Sequence, residues 1–138
     1  MGFSIFLDAN IILDQVLKRA DYTNSRALFQ KILNGQFNAF TSPSIIHIVG
    51  YWLTKVYGTN ETRQIILTLL NDVHVLELNH EITIQALHSK VMDIEDALQY
   101  HTALHHKMDC FVSRDKKLKA IQSSVLPVLS PDELLKDR

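Results

Sequence analysis

Three aspartates far apart in the chain, Asp8, Asp96 and Asp115, each stand where an apolar run gives out or a new one begins, and a fourth, Asp93, lies about one helical turn before Asp96. Asp8 ends the first apolar run of "IFLDANIILD", Asp115 follows "CFVS", and Asp93 and Asp96 open the periodic stretch "DIEDALQYHTALHHK". Neither Asp8 nor Asp115 interrupts an apolar run, where an unpaired carboxylate would be too costly. Carboxylates gathered in one place repel one another and take up protons unless a cation compensates. An all-oxygen donor set suits Mg²⁺ or Mn²⁺. A cation so held can polarise a phosphodiester and lower the pKa of a bound water into the attacking range, and a second ion can stabilise the leaving oxygen.

The periodicity of the chain says which elements must bring these acids together. "FSIFLD" reads as a short buried strand, "NIILDQVLK" has helical spacing, and "YTNSRALFQKILNGQ" is a helix with Ala27, Leu28, Ile32 and Leu33 on one face and Gly35 able to end it. "FNAFTS" is a second strand. Ser42 offers an N-cap with Pro43 at the first helical position of "SIIHIVGYWLTKVYG", and Thr59 is the expected cap of "NETRQIILTLLND". "VHVLEL" alternates like a strand, "HEITIQALHSK" is helical, and the helix from Asp93 feeds a fourth strand, "DCFVSRD". A weak strand, "VLPVLS", and a short helix capped by Ser130 close the chain.

Short strands separated by helices point to βαβ units. The expected fold class is α/β: a three-layer α/β/α arrangement around a central, mostly parallel sheet of four to five strands. In such a sheet the functional crevice lies beyond the carboxyl ends of the strands, where Asp8 and Asp115 fall. At about 100° per residue, Ile94, Ala97, His101, Leu104 and Met108 make one stripe of the helix before the fourth strand. Asp93 lies at its edge and Asp96 further round, while Glu95 faces water. If that first turn abuts the sheet's carboxyl end, Asp96 meets Asp8 and Asp115.

Bulk properties narrow the function classes. A chain of 138 residues with 46% hydrophobic composition suits one globular domain spanning 1–138, without repeats or a Pro- or Gly-rich linker. No stretch approaches the ~18 to 20 continuous apolar residues of a membrane span. "MGFSIFLDAN" lacks the features of a secretory signal, and Phe6 stands where a myristoylation signal wants Ser or Thr. The single cysteine, Cys110, is expected to be a small core residue. A soluble protein of the reducing cytoplasm, with no membrane contact, fits. A net charge of -1 denies the chain the broad positive field of a non-specific nucleic-acid binder, so any such role rests on a local patch. "SRDKKLK" is the candidate, with Arg114, Lys116, Lys117 and Lys119; its plain reading is a solvated turn.

Taken together these pieces resemble the PIN-domain family of small metal-dependent ribonucleases, which includes many toxins of toxin–antitoxin pairs. "FLDANIILD" is similar to the family's opening D-x-N, "DIEDALQY" to its third acidic motif, written E-D-A-L-Q in one branch, and "DCFVSRDKKL" to its closing strand. "VLSPDELL" looks like the end found in that branch. The resemblance implies that Asp8, Asp96 and Asp115 bind Mg²⁺ or Mn²⁺, with Asp93 a further candidate, and that Asn10 braces Asp8 or the loop while Ser113 hydrogen-bonds within the site. It implies hydrolysis of RNA by metal-activated water and an antitoxin laying a segment across the crevice with an Arg or Lys on the carboxylates; Arg114, Lys116 and Lys117 of the basic patch are the candidate RNA contacts. One departure stands out: most members place a Glu in the helix after the second strand, where this chain reads "SIIHIVG" with no carboxylate, only His47.

Each residue has a plainer reading. Asp93 and Asp115 can cap helices, Asp96 can serve the positive end of its helix dipole, and Asp14 and Glu95 read as solvated. His101 and His105 have one-turn spacing, but "HTALHH" lacks the Glu of a zinc protease helix. Phe29, Tyr51 and Trp52 offer a groove or a homodimer contact, with core packing the expected fate of most. The alternative from another class is a PIN-like module without catalysis that binds RNA or a protein; a haloacid-type phosphatase would want a second Asp where Asn10 stands.

Overall fold

A computed structural model describes residues 2–19 and 22–137. The first strand, β1 (Phe3–Leu7), carries Ile5, Phe6 and Leu7 without any exposed surface, as a strand buried on both faces must. It lies at the centre of a five-stranded sheet with β2 (Phe37–Thr41), β3 (Val73–Val75), β4 (Cys110–Val112) and β5 (Val128–Leu129), in the order β3-β2-β1-β4-β5. All four pairings are parallel, so the expected α/β sheet is present with every paired strand parallel. Phe6 stacks on Phe111 across the β1–β4 pair at 5.1 Å, and Cys110 is buried beside them.

The chain winds outward from β1 through β2 to β3 and then returns to add β4 and β5 on the other side. That reversal puts the topological switch point between β1 and β4, where an open parallel sheet leaves a crevice beyond its carboxyl end. Leu7 pairs with Val112, and Asp8 N–H donates to the Val112 carbonyl at 3.1 Å, so Asp8 and Ser113 leave the sheet side by side.

Helices cover the sheet: α1 (Ala9–Leu17), α2 (Tyr22–Leu33), α3 (Pro43–Tyr57), α4 (Thr59–Leu69), α5 (His80–His88), α6 (Ile94–His105), α7 (Lys116–Ala120) and α8 (Pro131–Asp137). Ser42 caps α3 through the Ile45 N–H, with Pro43 at the first position. Ser130 and Glu133 cap α8 reciprocally, at 3.2 and 3.0 Å. Gly35 follows α2 with φ +86°, the left-handed conformation that glycine takes without penalty.

Three local expectations are corrected. In α2 the buried side chains are Ser25, Leu28, Phe29 and Ile32, while Leu33 is 64% exposed: packing against α1, α8 and β2 turns the face away from the Ala27–Leu33 stripe. Thr59 lies inside α4, and Gly58 holds the cap position with no side-chain bond. In α6 the buried face is Ala97, Gln99, Tyr100, Thr102 and Ala103, while Ile94 is 62% exposed. Polar anchors orient this helix. Gln99 Nε2 donates to Ser44 Oγ at 2.8 Å, Ser42 Oγ donates to Gln99 Oε1 at 2.5 Å, and the Tyr100 hydroxyl donates to the Leu126 carbonyl at 2.7 Å. Tied to the start of α3 and to the approach to β5, the first turn of α6 is held over the carboxyl end of the sheet.

Candidate functional site

A cleft of about 740 Å³ opens there, and Asp8, Asp93, Asp96, Ser113, Arg114 and Asp115 all line it. Asn10 and Glu95 stand on its walls as well. Four aspartates separated by more than a hundred residues of chain at the extremes thus face one space.

Each is held by backbone or a neighbouring hydroxyl. Asp8 Oδ1 accepts from the Ala9 N–H at 2.8 Å, making Asp8 the N-cap of α1, and its Oδ2 accepts from Ser113 Oγ at 2.8 Å. Ser113 Oγ accepts in turn from the Asp115 N–H at 3.0 Å, so one hydroxyl ties both acids of the switch point together. Asp115 caps α7 through the Lys117 N–H at 2.9 Å, and Asp93 caps α6 through the Asp96 N–H at 2.9 Å. These bonds leave carboxylate lone pairs unused.

The electrostatics record the crowding. Burial pushes the Asp8 carboxyl above its ordinary value of 3.8; bonds from Ser113 and Ala9 oppose this, and the charge of Asp115 adds to it. Asp96 is pushed up to about 7, by burial first and then by Asp93, Asp115 and Asp8, with its carboxyl within hydrogen-bond reach of Asp115. Glu95 is raised by burial and by Asp8 and Asp93. Among the described residues no three His, Cys, Asp or Glu side chains form a ready-made metal cage. The acids rim a wide cleft, and an ion there would complete its shell with water, as Mg²⁺ ordinarily does.

A carboxyl with a raised pKa binds its proton more tightly in the folded chain than in the unfolded one. Its stabilising contribution is complete below 3.8 and is lost as pH rises through about 7 for Asp96. Cation-free protein is therefore expected to lose thermal stability between about pH 4 and pH 7, less steeply in an Asp96→Asn variant, and millimolar Mg²⁺ or Mn²⁺ to restore more at the higher pH. Melting curves across that window check this; equal slopes for wild type and variant would contradict it.

Some residues behave differently from expectation. Asp14, read as solvated, is 2% exposed and lies between two guanidinium groups: Arg19 Nε donates to its Oδ1 at 2.9 Å and Arg114 Nη2 pairs with its Oδ2. Burial of a carboxylate is tolerated because both partners are cationic. Asn10 Oδ1 accepts from Arg19 Nη2 at 3.0 Å, which ties it to the segment after α1. Glu95 is exposed but belongs to the cleft wall. Lys116 and Lys117 are exposed outside the cleft, Lys117 lining a smaller depression behind Asp93 and Asp96, and Lys119 pairs with Glu133 at 2.5 Å. His47 faces solvent; α3 turns Ile48 and Trp52 to the cleft instead. Arg19 and Ile48 are cleft residues that the sequence did not announce, and Trp52, offered there as a groove or homodimer contact, lines the same cleft. Ile48 and Trp52 share a helix face at i, i+4, a signal visible only once the position of α3 is known.

Comparison with known proteins gives the family and the fold. The family model for the PIN domain matches residues 4–117. The chain belongs to the PIN domain family. Its fold is shared with VapBC2 from Rickettsia felis, solved bound to a DNA fragment from its promoter, at TM-score 0.70 and 15% identity over 93% of this chain and 98% of that one. It is shared also with VapC20 of Mycobacterium tuberculosis, described as a sarcin-ricin loop cleaving toxin, at TM-score 0.67 and 14% identity over 84% of this chain and 93% of that one. A search of curated proteins finds no match. In this PIN domain the cleft wall formed by α3 is apolar and aromatic, made by Ile48 and Trp52.

Proposed function

We propose that this chain, acting as one PIN-like unit over residues 1–138, is a divalent-cation-dependent endoribonuclease and the toxin of a toxin–antitoxin pair. The observation that carries the reading is the convergence of Asp8, Asp96 and Asp115, with Asp93 beside them, on one cleft at the β1–β4 switch point. Family membership and the description of VapC20 as a sarcin-ricin loop cleaving toxin support it.

The donor set fits a hard cation. Asp8 and Asp96 hold their protons abnormally tightly, by burial first and then by the negative groups that face them, and a positive ion would offset both. Asp8, Asp96 and Asp115 would hold Mg²⁺ or Mn²⁺, with Asp93 at the edge of the set. When bound, such an ion supplies Lewis acidity to the phosphodiester and lowers the pKa of a water. The protein's own groups do the rest. Ser113 orients Asp8 and Asp115, and Asp93 fixes the helix turn that carries Asp96. Arg19 and Arg114, steadied by Asp14, present positive charge to an RNA phosphate, with Lys116 and Lys117 outside the cleft on the path of the strand.

An antitoxin with an Arg or Lys reaching the carboxylates, a homodimer contact and work in the cytoplasm belong to the same reading; no helix among the described residues is long and apolar enough to cross a membrane. A second reading, a PIN-like module that holds RNA or a protein without cutting, is favoured by the lack of a carboxylate on the cleft wall of α3 and, among the described residues, of a ready-made cage. Purified protein with labelled structured RNA separates the two. Cleavage in Mg²⁺ or Mn²⁺ that stops on chelation is the expected result; RNA bound but intact in both ions would overturn the enzyme in favour of the module.

A further inference from the structure

The core-facing residues of α3 are Ile45, Val49 and Leu53, all without exposed surface, so this helix completes its packing without the aromatic pair that follows. Tyr51 is 53% exposed and Trp52 49% exposed. Apolar burial does not account for a tryptophan held half in water at the wall of an acidic cleft. The pair is ordered by its own contacts. The two rings meet edge to face at 5.3 Å, and Lys55 Nζ lies 4.4 Å from the centroid of Tyr51 and 5.1 Å from that of Trp52, a cation–π arrangement that fixes the rings and leaves a positive charge beside them.

We propose that Trp52, braced by Tyr51 and Lys55, is a nucleobase-stacking platform for single-stranded RNA whose adjoining phosphate lies at the carboxylates of the same cleft. This rests on the reading of the ligand as RNA given above. Five carboxylates line the cleft, from Asp8, Asp93, Glu95, Asp96 and Asp115, against two arginines already engaged by Asp14. A polyanion entering that field gains from attraction that does not depend on charge. Stacking on an indole supplies it, because a base presents a neutral π-face, and Lys55 adds a cation on the path of the backbone. An apolar peptide side chain would match Trp52 but not the charged walls around it. A nucleotide carries a flat ring and a phosphate within one unit and matches both.

Stacking tolerates any base and favours the larger purines. Trp52 is the one tryptophan of the chain, so its fluorescence reports on this position alone. The experiment titrates the full-length protein, in chelator, with a short 2′-O-methyl oligopurine RNA that cannot be cleaved, and in parallel with an abasic phosphodiester of equal length. Saturable quenching by the oligopurine and none by the abasic strand is expected. Trp52→Ala should weaken oligopurine binding about tenfold and Trp52→Phe much less, with unchanged circular dichroism for both. RNA bound or cleaved by the wild type with no change in Trp52 fluorescence would overturn the platform and leave the nuclease intact. Neither binding nor cleavage of RNA would overturn both. Quenching by a co-purified protein but not by RNA would assign the aromatic pair to a protein partner instead.

Discussion

Asp8→Asn and Asp96→Asn are each expected to lower cation-dependent RNA cleavage about a thousandfold while raising the melting temperature of the cation-free protein near pH 8. Both halves follow from one cause. Asn keeps the size of Asp and its carbonyl can still accept from Ser113 or the backbone, so the N-cap at position 8 and the first turn of α6 survive. What disappears is one negative charge from a cluster in which burial and neighbouring acids already oppose ionisation. Removing it relieves repulsion in the empty cleft and takes away a cation ligand. A loss of ~4 kcal/mol of transition-state stabilisation corresponds to about three orders of magnitude in rate. A control at Asp109 separates this from mere acidity: its carboxylate accepts from the Ser4 N–H at 2.7 Å, at the opposite end of β1, and Asp109→Asn should leave cleavage unchanged. Cleavage persisting in both cluster variants would remove these carboxylates from the chemistry.

The second large effect concerns stability. Asp14→Ala is expected to destabilise the fold by about 3 kcal/mol, at the lower end of the range for breaking a buried ion pair, because Arg19 and Arg114 keep 39% and 33% of their side-chain surface in water and can be partly solvated when their partner is lost. For a chain of this length that is roughly 10 °C in melting temperature. Urea denaturation with an unchanged m-value would assign the loss to the folded state. A shift of less than about 2 °C would put the network among solvated surface pairs, whose contribution is small. RNA affinity should fall along with it, since the guanidinium groups lose the group that positions them at the cleft.

The strands and the acids at their ends were legible because local chemistry settles them. "SIFL" and "CFV" are apolar without alternation, as central parallel strands are, and Asp8 and Asp115 stand at the first positions where a carboxylate can be hydrated. The caps at Ser42, Asp93 and Ser130 were legible for the same reason: each bonds within three residues of itself. Asp14 was not, because one of its two arginines lies a hundred residues away in β4's trailing loop and nothing near "ILDQV" announces it. The α6 stripe failed because Gln99 and Thr102, polar by type, sit buried, Gln99 bonded to the start of α3, and a hydrophobic count passes over such anchors. Tyr51 and Trp52, expected mostly in the core, are half exposed because Ile45, Val49 and Leu53 already fill the face of α3 that meets the sheet.

The convergence of Asp8, Asp96 and Asp115 on a shared cation is tested most directly by crystals of the protein grown or soaked in Mn²⁺ and measured at the manganese absorption edge. An anomalous peak is expected in the cleft about 2.1 to 2.3 Å from carboxylate oxygens of at least two of the three, absent from crystals of Asp8→Asn. A saturated crystal with manganese only at other surface carboxylates, or with the peak undiminished in the variant, would contradict it.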